Sequence, residues 1–263
     1  MLEVSLVIPA YNEERRLSGT LAAYRRAMRE RFEEDFEIVV VANGCSDGTV
    51  GVASTAAAED PRIRVVEVEE AVGKGGAVLE GFRQARGTAI AFADADGATE
   101  PRSLVKLIEG LNHSDIVIGS RRMEGSVITQ PQPLLRRFFG SGFAGATRLL
   151  FGIPFKDTQC GAKALHAETA RRLCEVVSET RWTFDLDMLL CARRLGMKVG
   201  EQPVIWADKE GSRLRWIPTT WEVLVALWSM KLRQRLPLKA LPELPIVGEV
   251  GEREADAYEL KAP

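Results

Sequence analysis

The sequence predicts an α/β fold in which helices cover both faces of a Rossmann-like, mostly parallel sheet. Two observations indicate this fold class. Short apolar segments alternate with longer segments of helical periodicity through the first 120 residues. One of the short segments, 89–93, is apolar throughout, as is typical of a strand buried on both faces of a parallel sheet. The length of 263 residues, 46% of them hydrophobic, is enough for one large domain with additions.

The first 120 residues contain five predicted strands separated by four predicted helices. The strands cover 4–8, 36–41, 63–68, 89–93 and 115–119. The first helix opens at Asn12 and runs to about 32, and the second covers 50–58, with Ser46 or Asp47 as a candidate cap. The third follows the turn at Gly73 and runs to about 85, and the fourth covers 101–111. Strands and helices that alternate in this way specify a parallel, doubly wound sheet.

The pattern changes after residue 120. Residues 129–133 form a proline-interrupted linker and 206–216 a loop, while 237–263 has little periodicity and is expected to be disordered. The other predicted elements are an apolar helical segment at 133–155, a short strand after Gly161, a helix at 168–177, a helix opening at 181–187, a strand at 197–204 and a helix at 218–236.

Two of these segments, 133–155 and 218–236, combine apolar and aromatic side chains with arginine and lysine. A helix packed on the core can have this pattern, and in 218–236 the cations near the carboxyl end also suit the helix dipole. A helix that lies in a membrane interface has it as well, with tryptophans and cations at the boundary. Both interpretations stay open at this point.

Composition excludes some functional classes. A formal net charge of −2 gives no basic field for nucleic acid. The four cysteines form no CxxC pair, which indicates reduced thiols in a cytosolic protein and no zinc site. The chain starts with strand-like sequence instead of a secretion signal, and no apolar stretch reaches the roughly 20 residues that cross a bilayer. We therefore expect a cytoplasmic protein that does not itself span a membrane.

Two carboxylates, Asp94 and Asp96, follow the apolar strand 89–93 directly. Ligands of open α/β sheets bind at the carboxyl ends of strands, so these side chains are expected at a binding rim. Carboxylates this close repel each other unless a cation lies between them. Mg²⁺ or Mn²⁺ bound together with substrate phosphates is the simplest such cation. The alternative is that Asp94 caps the helix that begins near Pro101.

Polar or glycine-rich loops follow each of the first four strands, and they are expected to gather along one edge of the sheet. The segment 73–76, Gly-Lys-Gly-Gly, would offer backbone N–H groups, a helix N-terminus and the Lys74 ammonium to a diphosphate, or it is merely a tight turn. Asp185 and Asp187 lie in the first turn of a later helix, where they would at least suit the helix dipole.

The order of these motifs resembles the family 2 inverting glycosyltransferases of the A-type fold, and within them the dolichyl- and polyprenyl-phosphate mannosyl- and glucosyltransferases. The matching segments are VIPAYNEE at 7–14, NGCSDGT at 43–49, GKGGAV at 73–78, DADG at 94–97, GSR at 119–121, DTQCGAK at 157–163 and RWTFD at 181–185. QPVIW at 202–206, followed by GSR at 211–213, is most similar to the dolichyl-phosphate glucosyltransferase branch. The resemblance covers residues 3 to 232, and many motifs in the right order make a specific signal.

The resemblance implies roles for individual residues. Those that would hold the nucleotide sugar are Pro9, Tyr11, Glu13, Asn43, Asp47, Lys74 and Asp94. Asp94 and Asp96 would flank the diphosphate, with Asp96 in contact with Mg²⁺ or Mn²⁺. Arg121, Arg213 and Arg215 would hold a lipid phosphate, since guanidinium groups pair strongly with phosphate. The catalytic domain would cover 1–236, with a nucleotide half at 1–120 and an acceptor half at 120–236.

The implied reaction is attack of a polyprenyl-phosphate oxygen on the anomeric carbon of a UDP- or GDP-linked glucose or mannose, with inversion. The enzyme would contact the cytoplasmic face of a membrane peripherally. A soluble relative that uses a sugar hydroxyl instead would need a general base, for which Asp185 and Asp187 are candidates. A nucleotide-binding protein without turnover is a third possibility, against which the intact Asp94, Asp96, Lys74 and Arg121 argue.

Two positions depart from the family pattern. Asn43 stands where the second-strand loop usually carries an aspartate, and it adds hydrogen-bond donors. Ala98 stands where many mannosyltransferases carry a glutamine that contacts the metal. The departures put the nucleotide preference and the number of protein ligands to the metal in question.

Overall fold

The structure, a computed structural model, describes residues 2–131, 134–209 and 216–234. Within these ranges the strands are β1 (Val4–Ala10), β2 (Phe36–Asn43), β3 (Ile63–Val68), β4 (Ala89–Ala93), β5 (Ile116–Ser120), β6 (Val127–Gln130), β7 (Ala162–His166), β8 (Val199–Pro203) and β9 (Ile205–Ala207). The α-helices are α1 (Leu17–Phe32), α2 (Thr49–Glu59), α3 (Gly73–Gln84), α4 (Pro101–Glu109), α5 (Leu134–Phe151), α6 (Ala167–Val176), α7 (Phe184–Arg194) and α8 (Trp216–Arg233). A short 3₁₀ helix, Gly110–His113, follows α4.

Seven strands form one sheet in the order β3-β2-β1-β4-β7-β5-β8. All neighbouring pairs are parallel except those of β7, which runs antiparallel to both β4 and β5. Because β7 is reversed, the loop that precedes it lies at the same edge as the carboxyl ends of the other strands. This topology places residues 157–161 beside Asp94.

Each face of the sheet carries its own apolar layer, as expected for a doubly wound fold. Alternate β1 residues divide between them, with Leu6 on one side and Val7 on the other. The first layer includes buried residues of α1, α2 and α4, and the second includes buried residues of α3, α6 and α7. The prediction of helices on both faces is confirmed.

A third apolar cluster joins α5 and α8 to α7. Its buried members are Phe151, Ile153, Leu186, Leu190, Leu227 and Met230. Other large apolar side chains of α5 and α8 remain exposed: Leu149, Leu150, Leu224, Val225, Trp228 and Leu232. We call these six residues the exposed apolar face. Each helix therefore packs on the core along one side and exposes apolar side chains along another. Contact of these helices with a membrane stays a prediction.

Several predicted boundaries were wrong. The first helix begins at Leu17 instead of Asn12, because Asn12 adopts a left-handed backbone with a φ of 56° that no helix accommodates. The fourth helix stops at Glu109 and tightens into the 3₁₀ turn. The predicted linker 129–133 and the predicted loop 206–216 overlap two short strands, β6 and β9. These strands pair in a two-stranded parallel sheet that the sequence did not predict. The predicted disorder at 237–263 lies outside the described residues.

Candidate active site

The loops after the first four strands meet at one edge of the sheet, as the sequence predicts. Asn12, after β1, accepts hydrogen bonds from the backbone N–H of Ser46 at 2.7 Å and of Asp47 at 3.3 Å, both after β2. Asn43, at the end of β2, accepts from the N–H of Val72 at 2.8 Å and donates to the carbonyl of Gly73 at 3.1 Å. These bonds join three consecutive loops into one polar rim.

The fourth loop carries Asp94 and Asp96, and α1 holds its backbone in place. The Thr20 hydroxyl donates to the carbonyl of Ala95 and the Tyr24 hydroxyl to the carbonyl of Thr99, each at 2.9 Å. Asp96 accepts from the N–H of Ala98 at 2.9 Å. The alternative role for Asp94 as a helix cap is wrong, because α4 is capped by Glu100, whose carboxylate accepts from the N–H of Ser103.

The Asp-x-Asp pair has the chemistry of a divalent-cation site. Burial and the neighbouring charge of Asp94 raise the pKa of Asp96, as expected for a carboxylate that needs a cation. No cluster of three or more His, Cys, Asp or Glu side chains in the described residues could hold a metal alone. Two carboxylates with the remaining ligands supplied by substrate phosphates and water suit Mg²⁺ or Mn²⁺. Asp96 and Asp94 are therefore compatible with a metal that arrives with a diphosphate.

Lys74, in the first turn of α3, connects Asp94 to Asp185. Its Nζ lies 2.8 Å from Asp94 Oδ1 and 3.4 Å from Asp185 Oδ2. The other oxygen of Asp185, Oδ1, lies 2.5 Å from the Nζ of Lys163, which also donates to the carbonyl of Cys160 at 2.7 Å. Lys163 is completely buried and Asp185 is 2% exposed. We call Asp94, Lys74, Asp185 and Lys163 the four-residue ion network.

The network shifts the pKa values of two of its members, Asp185 and Lys74. Burial alone would raise the pKa of Asp185, but Lys163 and Lys74 hold it below the ordinary value of an aspartate. Burial would lower the pKa of Lys74, but Asp185 and Asp94 raise it well above the ordinary value of a lysine. Asp185 is consequently an ionised structural partner with both oxygens engaged.

Asp187 is also engaged. Its Oδ2 accepts from the N–H groups of Ser178 and Glu179 at 3.1 and 3.0 Å, and lies 3.4 Å from Arg233 of α8. The carboxylate thus anchors the segment that enters α7. The following residue Thr180 accepts at its carbonyl from the N–H of Gly76, 3.1 Å away in α3.

Arg121, directly after β5, is held by Asp157. Its Nε lies 2.7 Å from Asp157 Oδ2 and its Nη2 lies 2.9 Å from Oδ1, a bidentate pair, and its guanidinium lies 5.3 Å from the ring centroid of Trp206. Asp157 is 2% exposed, and although burial would raise its pKa, Arg121 holds that pKa below the usual range. The backbone of Lys156 and Asp157 is fixed in turn by the carboxylate of Glu201. Arg213 and Arg215, the other predicted phosphate contacts, lie outside the described residues.

The remaining predicted nucleotide contacts line the same rim. Tyr11 is 49% exposed, and Pro9 is half-buried at the end of β1. Glu13 pairs with Arg16 at 2.6 Å. The suggested cap role of Ser46 or Asp47 is wrong, because Gly48 occupies the cap position of α2. Asp47 instead accepts from the N–H and hydroxyl of Thr49, the first residue of that helix. The contacts of these residues with a nucleotide stay predictions.

Sequence reasoning gave no role to two residues of the site. Lys163 was only part of a matching segment, yet a lysine within the short apolar strand Ala-Lys-Ala-Leu was a signal that it needs a buried anion. Asp157 is likewise only part of a matching segment, and nothing local indicates that its partner Arg121 lies 36 residues earlier in the chain.

Comparison with known proteins gives a consistent result. The model of the family "Glycosyl transferase family 2" matches residues 5–167. Glycosyltransferase AglD of Haloferax volcanii is 33% identical over 242 residues, which cover 89% of this chain and 38% of AglD. Dolichyl-phosphate beta-glucosyltransferase ALG5C of Trichomonas vaginalis is 36% identical over 222 residues, which cover 80% of this chain and 66% of that protein. The chain thus spans less than two thirds of either relative.

The fold is also that of solved glycosyltransferases. The crystal structure of glucosyl-3-phosphoglycerate synthase from Mycobacterium tuberculosis, in complex with Mn²⁺, UDP and phosphoglyceric acid, matches with a TM-score of 0.63 at 16% identity. The match covers 90% of this chain and 80% of that one. The predicted A-type fold is confirmed. In the described part of the chain, no helix is both long and apolar enough to cross a membrane.

Proposed function

The chain belongs to glycosyltransferase family 2, and we propose that it transfers a hexose, glucose or mannose, from a UDP- or GDP-sugar to a polyprenyl or dolichyl phosphate. A phosphate oxygen of the lipid attacks the anomeric carbon, the bond from that carbon to the nucleoside diphosphate breaks, and the configuration inverts. No proton has to move, since the lipid phosphate is already ionised near neutral pH.

The observation that carries this proposal is the state of Asp185. A hydroxyl acceptor requires a general base with a free carboxylate oxygen and a pKa near the working pH. Both oxygens of Asp185 are taken by ammonium groups, and those groups hold its pKa low. Asp187, the other candidate base, accepts hydrogen bonds from the backbone N–H groups of 178 and 179 and forms an ion pair with Arg233. An acceptor that needs no base is therefore favoured over a sugar hydroxyl.

On the donor side, Asp96 would hold Mg²⁺ or Mn²⁺ with Asp94 beside it. When bound, the metal supplies charge stabilisation for the leaving diphosphate. Lys74 contributes an ammonium at the N-terminus of α3, where backbone N–H groups and the helix dipole also attract phosphate. Manganese in the solved structure with UDP supports a divalent cation for this fold.

On the acceptor side, Arg121 is the described cation best placed for a lipid phosphate. Its side chain remains 21% exposed while Asp157 fixes its orientation. The guanidinium is therefore already oriented before an anion binds, and binding costs less side-chain entropy. Arg213 is proposed as a second contact on the strength of the family resemblance. The name of the ALG5C relative supports a lipid phosphate of the dolichyl class.

We further propose peripheral contact with the cytoplasmic face of a membrane through the exposed apolar face of α5 and α8. Trp228 is 70% exposed and Leu149 is 87% exposed, and the cations Arg148 and Lys231 are close to them in sequence on α5 and α8. Apolar and aromatic side chains with neighbouring cations match an anionic lipid surface. An enzyme bound in this way would meet the phosphate group of its lipid acceptor at the membrane surface.

The test is nucleoside diphosphate release by the purified protein, with UDP- and GDP-sugars, Mg²⁺ or Mn²⁺, and a short polyprenyl phosphate present or absent. We expect release that requires the lipid phosphate and is lost in Asp96→Ala. The matched control is Asp115→Ala, an aspartate at the opposite edge of the sheet, which should retain activity. Donor binding without lipid-stimulated release would favour a hydroxyl acceptor, and no binding of any nucleotide sugar would overturn the proposal.

A further inference from the structure

Lys163 is the least expected residue of the site. It occupies β7 between β4 and β5, where it is paired in register with Phe92 on one side and Ile118 on the other. Its side chain is 0% exposed, and its Nζ lies 5.3 Å from the centroid of the Phe92 ring. A charged group in the middle strands of a sheet is far from the solvent that would stabilise it.

Burial of this ion network is costly for folding. Removing ammonium and carboxylate groups from water carries a large free-energy penalty for each ion, and apolar side chains of similar volume often stabilise such a position better. The surroundings of Lys163 are apolar on both neighbouring strands. Stability of the fold alone thus gives no reason for Lys163 and Asp185 to be ionic.

The geometry gives another reason. The two oxygens of Asp185 divide between two ammonium groups, with Oδ1 on Lys163 and Oδ2 on Lys74. Lys163 is itself fixed from the other side by the carbonyl of Cys160. The Asp185 carboxylate is therefore held in one orientation, with its second oxygen towards Lys74.

That orientation determines where the Lys74 ammonium lies. Nζ of Lys74 is closer to Asp94, at 2.8 Å, than to Asp185, at 3.4 Å. Asp94 Oδ1 and Asp185 Oδ2 both contact the Lys74 ammonium, so without the buried pair the flexible Lys74 side chain would be held by Asp94 alone. The buried pair thus keeps the cation at the rim where the Asp-x-Asp loop ends.

We propose that Lys163 and Asp185 are positioning residues that hold the Lys74 ammonium beside Asp94, where it contacts the diphosphate of the donor. The inference rests on the proposed function, because it needs a nucleoside diphosphate at this rim. Lys163 and Asp185 do not touch substrate, and they act on the reaction only through Lys74.

A double-mutant cycle on nucleotide binding tests this directly. The charge-neutral variant Lys163→Met/Asp185→Asn removes the buried pair without leaving a single buried charge, and Lys74→Met removes the cation on which the pair acts. We expect each to weaken binding of UDP or GDP, whichever the wild type binds with Mn²⁺ in calorimetry, by about tenfold. The triple variant should be no weaker than Lys74→Met.

A matched control separates positioning from folding. In the Glu37–Arg64 pair Glu37 is buried and Arg64 is half-buried, with 2.8 Å between Oε2 and Nε, but the pair lies away from the rim. Glu37→Gln/Arg64→Met should change the thermal midpoint and leave nucleotide affinity unaltered. Lys163→Arg with Asp185 intact should retain more affinity than Lys163→Met.

The outcomes are distinct. Additive losses in the triple variant would mean that the pair has a merely structural role, and the inference would be overturned. Unchanged nucleotide affinity in Asp185→Asn, together with loss of one ionisation from the pH profile of kcat, would make Asp185 the general base. If the wild-type protein bound neither UDP nor GDP, the proposed function would be overturned. This inference would be overturned as well, because it rests on that function.

Discussion

At the residue scale, the closest packing in the site is between Asp94 and the backbone of Gly161. A Cβ at position 161 would lie 1.8 Å from Asp94 Oδ2, far inside van der Waals contact. The glycine is required because the reversed strand β7 begins directly against the carboxylate, not because of an unusual φ.

We therefore expect Gly161→Ala to displace Asp94 and weaken Mn²⁺-dependent nucleotide binding by about tenfold or more, with a smaller effect on the thermal midpoint. Calorimetric titration with UDP or GDP measures the first quantity. Gly145→Ala is the control, because nothing lies within 4 Å of a Cβ there, and in a helix it should stabilise slightly. Unaltered binding in Gly161→Ala would show that Asp94 does not need its present position.

Arg121 offers a second residue-scale prediction. Arg121→Lys keeps the charge but cannot make the bidentate pair with Asp157, so the cation loses its fixed orientation. We expect the KM for the polyprenyl phosphate to rise about tenfold while the KM for the nucleotide sugar changes little. Steady-state kinetics with each substrate varied in turn provides the measurement, and Arg31→Lys, at an exposed pair with Glu109, is the control. A rise in the donor KM alone would place Arg121 on the donor side.

The sequence predicts Asp94, Asp96, Lys74 and Arg121 at one rim because each directly follows a recognisable strand or opens a helix. It does not predict their partners. Lys74 pairs with Asp185 across 111 residues of sequence and Lys163 with Asp185 across 22, and no local pattern encodes such pairs. Ionic networks of this kind depend on tertiary contacts, and the periodicity of apolar residues in the sequence does not predict those contacts.

At the scale of elements, the direction and order of strands were the hardest features to predict. A short apolar strand has the same sequence pattern whether it runs parallel or antiparallel to its neighbours. The sequence therefore does not predict the reversed direction of β7. The β6 strand was missed because all four of its residues are exposed, which removes the alternation that identifies a strand, and its partner β9 lies far along the chain. The β1, β2 and β4 strands, in contrast, were predicted closely because both of their faces are buried.

The exposed apolar face of α5 and α8 carries the element-scale prediction. Trp228→Gln/Leu224→Gln should lower sedimentation with vesicles containing anionic lipid by at least about tenfold, since burial of such side chains is worth roughly 1.5 to 3 kcal/mol each. The control Val127→Gln/Ile128→Gln replaces two other exposed apolar residues, which lie on β6 and outside this face. The proposed membrane contact would be contradicted if both variants lost the same fraction of vesicle binding. It would also be contradicted if vesicle binding did not depend on salt concentration or on lipid charge.

At the scale of the whole molecule, buried carboxylates make the fold sensitive to acid. Interactions with cations hold the pKa values of Glu37, Asp60, Asp157 and Asp185 below their ordinary values. A carboxylate with a lowered folded-state pKa stabilises the fold above its unfolded-state pKa, and that stability is lost as pH falls through the folded-state value. The contribution is complete at neutral pH.

We expect the urea midpoint to change little between pH 7 and about 5 and to fall steeply below about pH 4, where unfolded aspartate and glutamate begin to take up protons. Denaturation followed by circular dichroism at each pH measures this dependence. The Lys163→Met/Asp185→Asn variant should lose less stability on acidification, because one such carboxylate is absent. A midpoint that rises as the pH falls would contradict the assignment.

The strand order has a consequence for how the chain can be divided. β7 comes from residues beyond 120, yet it lies between β4 and β5, which both precede it in the chain. A fragment that ended at 120 would leave facing edges of β4 and β5 without a partner, and one that ended at 167 would bury Lys163 without its counter-ion Asp185. The two predicted halves, 1–120 and 120–236, are therefore interleaved in the sheet, and neither is an autonomous folding unit that could be exchanged between enzymes as a module.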